Sequence, residues 1–473
     1  MRTLPVVLAL AGVAACSGAS HPAAASATAS ATSSPGAVAP ADTPAAAPAT
    51  SPTASAAACP SSYAAPDPRR PRLTASVTVH GGTVTGSERI VFTPDLSITE
   101  VVLRLWIASP RPARAGAGIT VGQVAVDGRA VSPRRTSATV LRVPARVAAG
   151  RPVTVDVAFT LRLPTGINDR YGHRGTTAWF GSGLPLLAWE RGRGWALEPP
   201  TSAFAEASTS EAMALDSLAV SRDAGLSVVG PGRLVRDDGR TAVFTARAVR
   251  DVAVAVGRFR SASATAAGKT VQVGVTPGLS DGAAATAREL ARALGRHAAR
   301  FGPFPYERLA VAVLPDIHGG IEYPGVVLLG SGQIADATAS HEVAHEWFYG
   351  LVGDDQARDP WLDEAFATYA EALDRGTGPA YEAKTIPAAG RGHAGEPMTF
   401  WESRQSIYFR SVYLQGGVAL LKARRAAGSA AFDQAIRCFV RRSAHRIARP
   451  ADLREALRDL PAALRPLQAA GAL

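Results

Sequence analysis

Two histidines and the glutamate that follows the first of them have the types and spacing needed for metal-assisted hydrolysis. His341 and His345 lie four residues apart within residues 334–349, which contain neither Gly nor Pro. On a helix, residues at this offset share one face, so both imidazoles can reach one ion. Zn²⁺ binds imidazole nitrogen and tolerates three protein ligands with one open position. Glu342 can then reach a metal-bound water as a general base without being a ligand.

A third ligand follows after a gap of eighteen residues. Glu364 lies in residues 361–369, read as a second helix because Pro360 suits a first helical turn and nothing breaks the pattern before Gly376. The gap accommodates one helix end, a connection and a second helix. A chance match to the histidine motif alone is on the order of one in a hundred for a chain this long. The alternatives are a buried histidine pair without metal and a solvated helix carboxylate.

Two further segments extend this arrangement into a family resemblance. Residues 319–324 read GGIEYP and residues 412–417 read VYLQGG. With the histidine motif and the WLDE sequence at 361–364, they resemble the aminopeptidase N family of zinc metallopeptidases (gluzincins), which carry Gly-Ala-Met-Glu-Asn-like and Val-Tyr-x-Lys-Gly-Ala segments. The resemblance covers roughly residues 70–473 and is strong over residues 303–420.

The resemblance implies the following catalytic roles. His341, His345 and Glu364 would hold one Zn²⁺ per chain. Glu342 would take a proton from the metal-bound water and pass it to the leaving amine. Tyr413 would donate a hydrogen bond to the oxyanion, a contribution typically worth about 3–4 kcal/mol.

The resemblance also implies a substrate site. Glu322 would bind the free α-amine of a peptide, and the backbone of Gly319 and Gly320 would lie along that peptide because glycine allows close approach. An exposed turn carboxylate is the alternative for Glu322. Tyr408 is the alternative to Tyr413 as oxyanion donor, although its five-residue offset would place it on another helix face.

Several positions depart from the family pattern. Tyr323 stands where the family has Asn, Ile321 where it has Met, and Glu346 where it often has Gln. A carboxylate at position 346 could alter metal affinity or the pKa of the bound water. The printed chain also lacks the large C-terminal helical domain of many relatives, so we expect a more open cleft and a less strict preference for single-residue trimming.

The periodicity of the chain changes near residue 260. Apolar residues alternate with polar ones in residues 73–79, 101–107 and 153–161, which predicts half-buried strands. Helical spacing appears in residues 287–301, followed by strands at 309–313 and 326–329 and mainly helical signals from residue 335. With the resemblance, this predicts an α+β multidomain protein. An N-terminal all-β sheet domain (69–260) would precede a thermolysin-like, helix-rich catalytic domain (261–473).

The N-terminus indicates export. Residues 1–15 read as a signal peptide, and Cys16 follows Val13-Ala14-Ala15 as in a bacterial lipobox. Residues 16–68 would be the lipidated cysteine and a disordered Ala/Ser/Thr/Pro linker. We therefore expect a protein anchored by lipid to the extracellular face of the cell membrane. The alternative is an ordinary secretory signal with an incidental cysteine.

Cysteine use and charge constrain the remaining possibilities. Cys59 and Cys438 could form a disulfide outside the cell, or could be one flexible and one buried thiol. The chain has 50 basic against 39 acidic residues among 473, a formal charge of +11. The arginines are scattered and only three lysines occur (Lys269, Lys384, Lys422), so no nucleic-acid-binding patch is indicated.

The predicted function is a zinc-dependent metallopeptidase, specifically an aminopeptidase that releases N-terminal residues from peptides. A zinc endopeptidase with an open cleft, a hydrolase of cell-wall peptide stems and a non-catalytic binding lipoprotein on a peptidase fold are the alternatives. The filled catalytic positions argue against the last of these. Nothing in the sequence indicates an oligomeric state.

Overall fold

The N-terminal half forms β-sheets, and its long strands at 72–80 and 153–162 alternate between more and less buried side chains. A computed structural model describes residues 59–202, 210–334 and 337–473. In the strand at 72–80, every second side chain from Leu73 to Val79 is buried, as expected for a sheet with one face on the core.

The strands of this half are β1 Arg72–His80, β2 Thr83–Phe92, β3 Ile98–Arg104, β4 Gly118–Val126, β5 Arg129–Val131, β6 Arg134–Ser137, β7 Val140–Val147, β8 Val153–Arg162, β9 Tyr171–Arg174, β10 Thr177–Gly181, β11 Leu186–Leu187, β12 Trp189–Glu190, β13 Gly194–Trp195, β14 Met213–Arg222, β15 Ser227–Val229, β16 Arg233–Asp237, β17 Thr241–Val249 and β18 Ala253–Gly257. A short helix, α1 Pro110–Arg114, follows the 3₁₀ turn Trp106–Ala108.

These strands pair into sheets of different size. The largest sheet within the described ranges has the order β16-β17-β14-β1-β2-β8-β4-β5. Two four-stranded sheets have the orders β15-β18-β10-β9 and β11-β3-β7-β6, and β12 pairs with β13. Trp179 and Trp189 are fully buried, and Trp195 packs edge-on against Trp189 at 4.7 Å between ring centroids. This half therefore builds one wall of the molecule from β-structure.

The C-terminal half combines a mixed sheet with helices. Its strands are β19 Arg260–Ala266, β20 Lys269–Val275, β21 Arg308–Leu314, β22 Gly320–Tyr323 and β23 Val326–Gly330, in the order β19-β20-β21-β23-β22. Its helices are α2 Ala283–Phe301, α3 Thr338–Ala344, α4 Trp361–Arg375, α5 Gly378–Glu382, α6 Met398–Trp401, α7 Gln405–Phe409, α8 Gln415–Ala427, α9 Ser429–Ser443, α10 Pro450–Ala456 and α11 Pro461–Ala469, with a 3₁₀ turn at Ala388–Gly390 and a π-helical turn at Arg410–Leu414. The predicted fold class is confirmed.

One buried carboxylate ties three helices together beneath the histidine motif. Asp374 of α4 accepts hydrogen bonds from the hydroxyl of Ser340 on α3 at 2.8 Å and from the guanidinium groups of Arg292 and Arg296 on α2 at 3.2 and 2.9 Å. Hydrogen bonds from charged donors are stronger than neutral ones. This contact fixes α3 and α4 relative to each other.

Two predicted elements end earlier than expected. The strand predicted over residues 101–107 stops at Arg104, and residues 106–108 form a 3₁₀ turn closed by a hydrogen bond from Ser109 N–H to Trp106 O. The helix expected within residues 334–349 ends at Ala344, where the chain reverses: Gly350 N–H donates to His345 O, and Tyr349 has φ 107°.

Residues 59–68, which we call the strap, correct the predicted linker. We expected disorder to residue 68, but a Cys59–Cys438 disulfide joins the strap to α9. The hydroxyl of Tyr63 donates to Pro303 O at 2.6 Å and accepts from Trp347 Nε1 at 3.2 Å. The predicted signal peptide (1–15) and Cys16 lie outside the described residues. Among the described helices, none has the length and apolar character needed to cross a bilayer.

The disulfide predicts a measurable stability difference. Replacing Cys59 by Ser should lower the free energy of unfolding by about 2–4 kcal/mol, because the unfolded chain is then no longer cross-linked. Denaturant unfolding of the wild type and of Cys59→Ser, with and without reductant, measures this. Reductant should destabilise the wild type but not the variant. Equal midpoints in all four samples would contradict the bridge.

Candidate active site

Three buried ligand groups converge between α3 and α4. His341 and His345 come from the end of α3, and Glu364 comes from the first turn of α4. One ligand atom from each lies within 4.8 Å of the other two. Glu364 Oε2 is 3.1 Å from His341 Nε2 and 3.4 Å from His345 Nε2. The structure thus brings together the three predicted metal ligands in a set that zinc accepts.

Hydrogen bonds at the opposite ring nitrogens orient both imidazoles. His345 Nδ1 donates to the carbonyl oxygen of Phe348 at 3.1 Å. His341 Nδ1 lies 3.1 Å from Glu371 Oε2, and Glu371 also accepts from the hydroxyl of Tyr381. With Nδ1 donating, Nε2 faces Glu364 and can either donate a proton to it when the ring is charged or bind a metal when the ring is neutral. Such outer partners fix the tautomer and raise the basicity of metal-binding imidazoles.

A second combination of possible metal ligands is also present. One ligand atom each of Glu322, His345 and Asp363 lies within 4.8 Å of the other two. His345 offers only Nε2, so it can serve one ion at a time. Asp363 is engaged elsewhere: its Oδ1 accepts from Glu364 N–H at 2.7 Å and its Oδ2 accepts from Gln356 Nε2 at 2.9 Å. The combination with His341 and Glu364 is therefore the better metal site.

The electrostatics of the three ligands favour a cation between them. Burial lowers the pKa of His341, but hydrogen bonds to Glu364 and Glu371 outweigh it and raise this pKa to about 10. Burial opposes ionisation of Glu364, yet the two imidazoles hold its pKa well below the usual range. The carboxylates thus favour positive charge at the imidazole nitrogens. A divalent ion bound between these groups would supply that positive charge in place of protons.

Glu342 lies beside this set and points at the glycine segment. Its side chain is buried, its Oε2 has no hydrogen-bond partner, and burial raises its pKa to about 8. A Cβ at Gly320 would come within 2.3 Å of Glu342 Cγ, and Gly319 has φ +95°. The first glycine therefore allows the turn, and the second leaves room for the glutamate.

The π-helical turn places Tyr413 at the ligand set. Its hydroxyl donates to Glu364 Oε1, and its ring stacks on His341 with centroids 5.7 Å apart and planes 7° apart. Tyr408 is buried behind it, edge-on at 5.6 Å, and packs against Trp401. Because π-turns recur at functional sites, this geometry favours Tyr413 over Tyr408 as the polar group facing a reacting atom.

The substrate side of the site is a cleft of about 380 Å³. Glu322 lies on β22, an edge strand of the mixed sheet, and accepts a hydrogen bond from Gln356 Nε2 at 3.4 Å. The lining residues are Arg111, Asn168, His318, Gly319, Gly320, Glu322, Thr338, His341, Glu342, His345, Glu364, Glu371, Phe409 and Tyr413. All the predicted site residues therefore lie in one cleft.

The departures from the family pattern point away from this cleft. Tyr323 is buried toward the β half, where its ring fills the space beside Gly181 and its hydroxyl lies 3.3 Å from Ser182 Oγ. Glu346, which we expected near the metal, instead accepts from Gly325 N–H at 2.8 Å in the β22–β23 turn. Neither side chain lines the cleft.

Sequence reasoning missed several residues at the site. Glu371 lies seven residues after Glu364, two helical turns along the same face of α4, so its position was predictable. Asn168 belongs to the β half and exchanges hydrogen bonds with the backbone of His318 at 3.0 and 3.3 Å. No local pattern indicates that contact, because the two residues are 150 positions apart.

The fold and the ligand set together were compared with known proteins. No protein-family model matches the chain. The sequence is 32% identical over 89 residues to aminopeptidase N of Streptomyces lividans and 33% identical over 86 residues to aminopeptidase N of Oryctolagus cuniculus. These matches cover 16% and 15% of this chain, but only 10% and 9% of the relatives' own length.

Solved structures share the fold over most of the chain. The M1 zinc metallopeptidase of Deinococcus radiodurans has a TM-score of 0.63 at 21% identity, covering 85% of this chain and 94% of that one. A mutant of that protein bound to Tyr-Ser-Ala substrate has a TM-score of 0.63 at 20% identity, and the match covers 86% of this chain and 95% of that one. A two-domain M1 zinc metallopeptidase mutant bound to L-arginine has a TM-score of 0.62 at 21% identity, and the match covers 87% of this chain and 95% of that one. The chain has the fold of these zinc metallopeptidases, and the predicted resemblance to the aminopeptidase N family is confirmed.

The contact between Glu371 and His341 predicts a loss of metal affinity on substitution. Glu371→Gln should weaken zinc binding about 10- to 100-fold, because the imidazole loses its charged acceptor. Competition with a chromophoric chelator measures the change. Glu455→Gln, on the exposed face of α10, is the matched control and should bind zinc like the wild type. Unchanged affinity in Glu371→Gln would contradict the orienting role.

Proposed function

We propose that this chain is a zinc-dependent aminopeptidase that hydrolyses the first peptide bond of its substrates. The observation that carries the proposal is the convergence of His341, His345 and Glu364 in a cleft that also holds Glu342 and Glu322. The structural neighbour bound to Tyr-Ser-Ala substrate supports a peptide as the substrate class.

The proposed chemistry assigns one task to each residue around the metal. Zn²⁺, held by His341, His345 and Glu364, would supply Lewis acidity at the scissile carbonyl and lower the pKa of the attacking water. Glu342, raised in pKa by burial, accepts a proton from that water and passes it to the leaving amine. Tyr413 donates its hydroxyl hydrogen to the developing oxyanion, worth about 3–4 kcal/mol for a single donor.

Recognition of the free amine falls to Glu322. Its carboxylate is 6% exposed, so an ammonium ion bound there is largely removed from water and pairs strongly with it. Gln356 holds the carboxylate from behind. Because β22 is an edge strand, the backbone of Gly319 to Glu322 can pair with an extended peptide, with the amine placed at Glu322. An amine bound at Glu322 would place the first peptide bond near the metal ligands, because a Glu322 oxygen lies within 4.8 Å of a ring nitrogen of His345.

We further propose that the protein is exported and anchored by lipid at Cys16, after removal of residues 1–15. The disulfide of the strap supports an oxidising environment. The low-complexity segment before the strap would act as a spacer between membrane and catalytic domain. In this setting the substrates are peptides outside the cell, and no nucleic acid is involved.

The general-base assignment predicts a separable loss of activity. Glu342→Gln should abolish hydrolysis of aminoacyl-coumarin substrates while the protein still binds one zinc, because the amide keeps the shape but cannot accept the proton. Zinc content by mass spectrometry and turnover are measured on the same samples. Glu307→Gln, an exposed control, should keep both. Turnover that persists in Glu342→Gln would overturn the mechanism.

Amine recognition predicts a strong preference for unblocked peptides. An N-acetylated tripeptide should be cleaved at least about tenfold less well than its free-amine twin, since it lacks the charge that Glu322 pairs with. Glu322→Gln should raise KM for the free-amine peptide. Mass spectrometry of the products identifies the bond cleaved. Equal cleavage of both peptides would instead identify a zinc endopeptidase.

A further inference from the structure

A single arginine from the β half forms part of the wall of the catalytic cleft. Arg111 lies on α1 and lines the cleft with Glu322 and Tyr413. Its side chain is 30% exposed and Nη1 is buried, so part of the group is sheltered while the side chain still borders the cleft. An ion pair in such a position is screened less by water than one on the open surface.

The charge of the cleft makes this position unusual. The carboxylates that line it are Glu322, Glu342, Glu364 and Glu371. Among the described lining residues, Arg111 is the only arginine or lysine. The proposed zinc ion and the substrate amine account for the acidic side of the cleft. Arg111 is therefore the element complementary to a negative group on the substrate.

The guanidinium is held in place by a buried carboxylate. Asp169, with a side chain 6% exposed, lies 3.5 Å from Arg111. Asp169 is itself fixed, because its carbonyl oxygen accepts from Trp179 Nε1 at 3.0 Å. Asp169 Oδ1 also accepts from the backbone N–H of Arg170 at 2.8 Å, which fixes the carboxylate that faces Arg111. A side chain held this way loses little further entropy when it binds a ligand.

We propose that Arg111 binds a carboxylate of the peptide substrate and so determines specificity. The inference rests on the proposed peptidase function. Arginine presents a planar fork of donors that matches a carboxylate and retains its charge when partly buried. The carboxylate has two possible sources, the side chain of an acidic first residue or the free C-terminus of a short peptide.

The size of the cleft is consistent with either source. At about 380 Å³ it falls at the small end of the range for ligand pockets, which suits a substrate of a few residues. An extended tripeptide spans at most about 11 Å. A carboxylate on the first side chain or at the end of such a peptide would therefore still lie within or close to the cleft.

Three matched peptides distinguish the two possible sources of the carboxylate that Arg111 binds. Ala-Ser-Ala amide is neutral beyond its amine, Ala-Ser-Ala with a free C-terminus adds a terminal carboxylate, and Glu-Ser-Ala amide adds a side-chain carboxylate. The wild type, Arg111→Gln, Arg111→Lys and the control Arg114→Gln are compared. Arg114 lies on the same helix, is exposed and does not line the cleft. kcat/KM is measured for each peptide, and binding is measured by calorimetry in a Glu342→Gln background.

The wild type and Arg114→Gln should prefer one carboxylate peptide over the neutral peptide by about tenfold, in cleavage and in binding. Arg111→Gln should lose that ratio and Arg111→Lys should recover part of it. Equal binding of all three peptides by the wild type, or an unchanged ratio in Arg111→Gln, would overturn the inference. Preferential binding that depends on Arg111 but is accompanied by no cleavage would support it and refute the peptidase function instead.

Discussion

The burial of Glu364 between two imidazole rings is the interaction on which the rest of the molecule depends. A carboxylate that is 2% exposed would be costly without positive charge nearby. His341 and His345 direct Nε2 toward it, and Glu371 adds a second carboxylate behind His341. Without a metal the imidazoles supply this charge by protonation, as the raised pKa of His341 indicates, and a bound divalent cation would supply it instead.

The fold supplies the rigidity that this convergence requires. Asp374 links α2, α3 and α4 directly below the ligands. From the β half, Arg250 reaches the turn after the histidine helix, where its guanidinium donates to the carbonyl oxygens of Gly350 and Leu351 at 3.3 and 3.4 Å. A Cβ at Gly353 would come within 2.2 Å of this guanidinium. Each domain thus holds one side of the segment that connects the ligand helices, and the cleft forms where they meet.

The strap extends the same constraint to the N-terminal end of the described chain. Tyr63 contacts Trp347, two residues beyond His345, while the disulfide fixes Cys59 to α9. The disulfide and the contact between Tyr63 and Trp347 thus join the N-terminal end of the described residues to the catalytic half.

The metal site was predictable from sequence because its geometry is local. Helix periodicity places His341 and His345 on one face, and Glu364 follows in the next long helix. Other features depend on contacts between distant residues. Arg111 and Asn168 reach the cleft from the β half, which has no motif to indicate it, and Tyr413 reaches the ligands through a π-turn that period-3.6 reasoning does not produce. The disulfide at Cys59 was one of two alternatives from the sequence, but the packing of the strap was missed because Tyr63 is isolated within a low-complexity segment and only its partner surface shows that it packs.

The most direct test of the central claim is anomalous diffraction at the zinc edge from crystals of the domain that begins at Cys59. We expect one peak per chain, about 2.0–2.2 Å from His341 Nε2, His345 Nε2 and a carboxylate oxygen of Glu364, with Glu342 outside coordination distance. A peak held by Glu322 and Asp363, or none in zinc-saturated protein, would contradict the account.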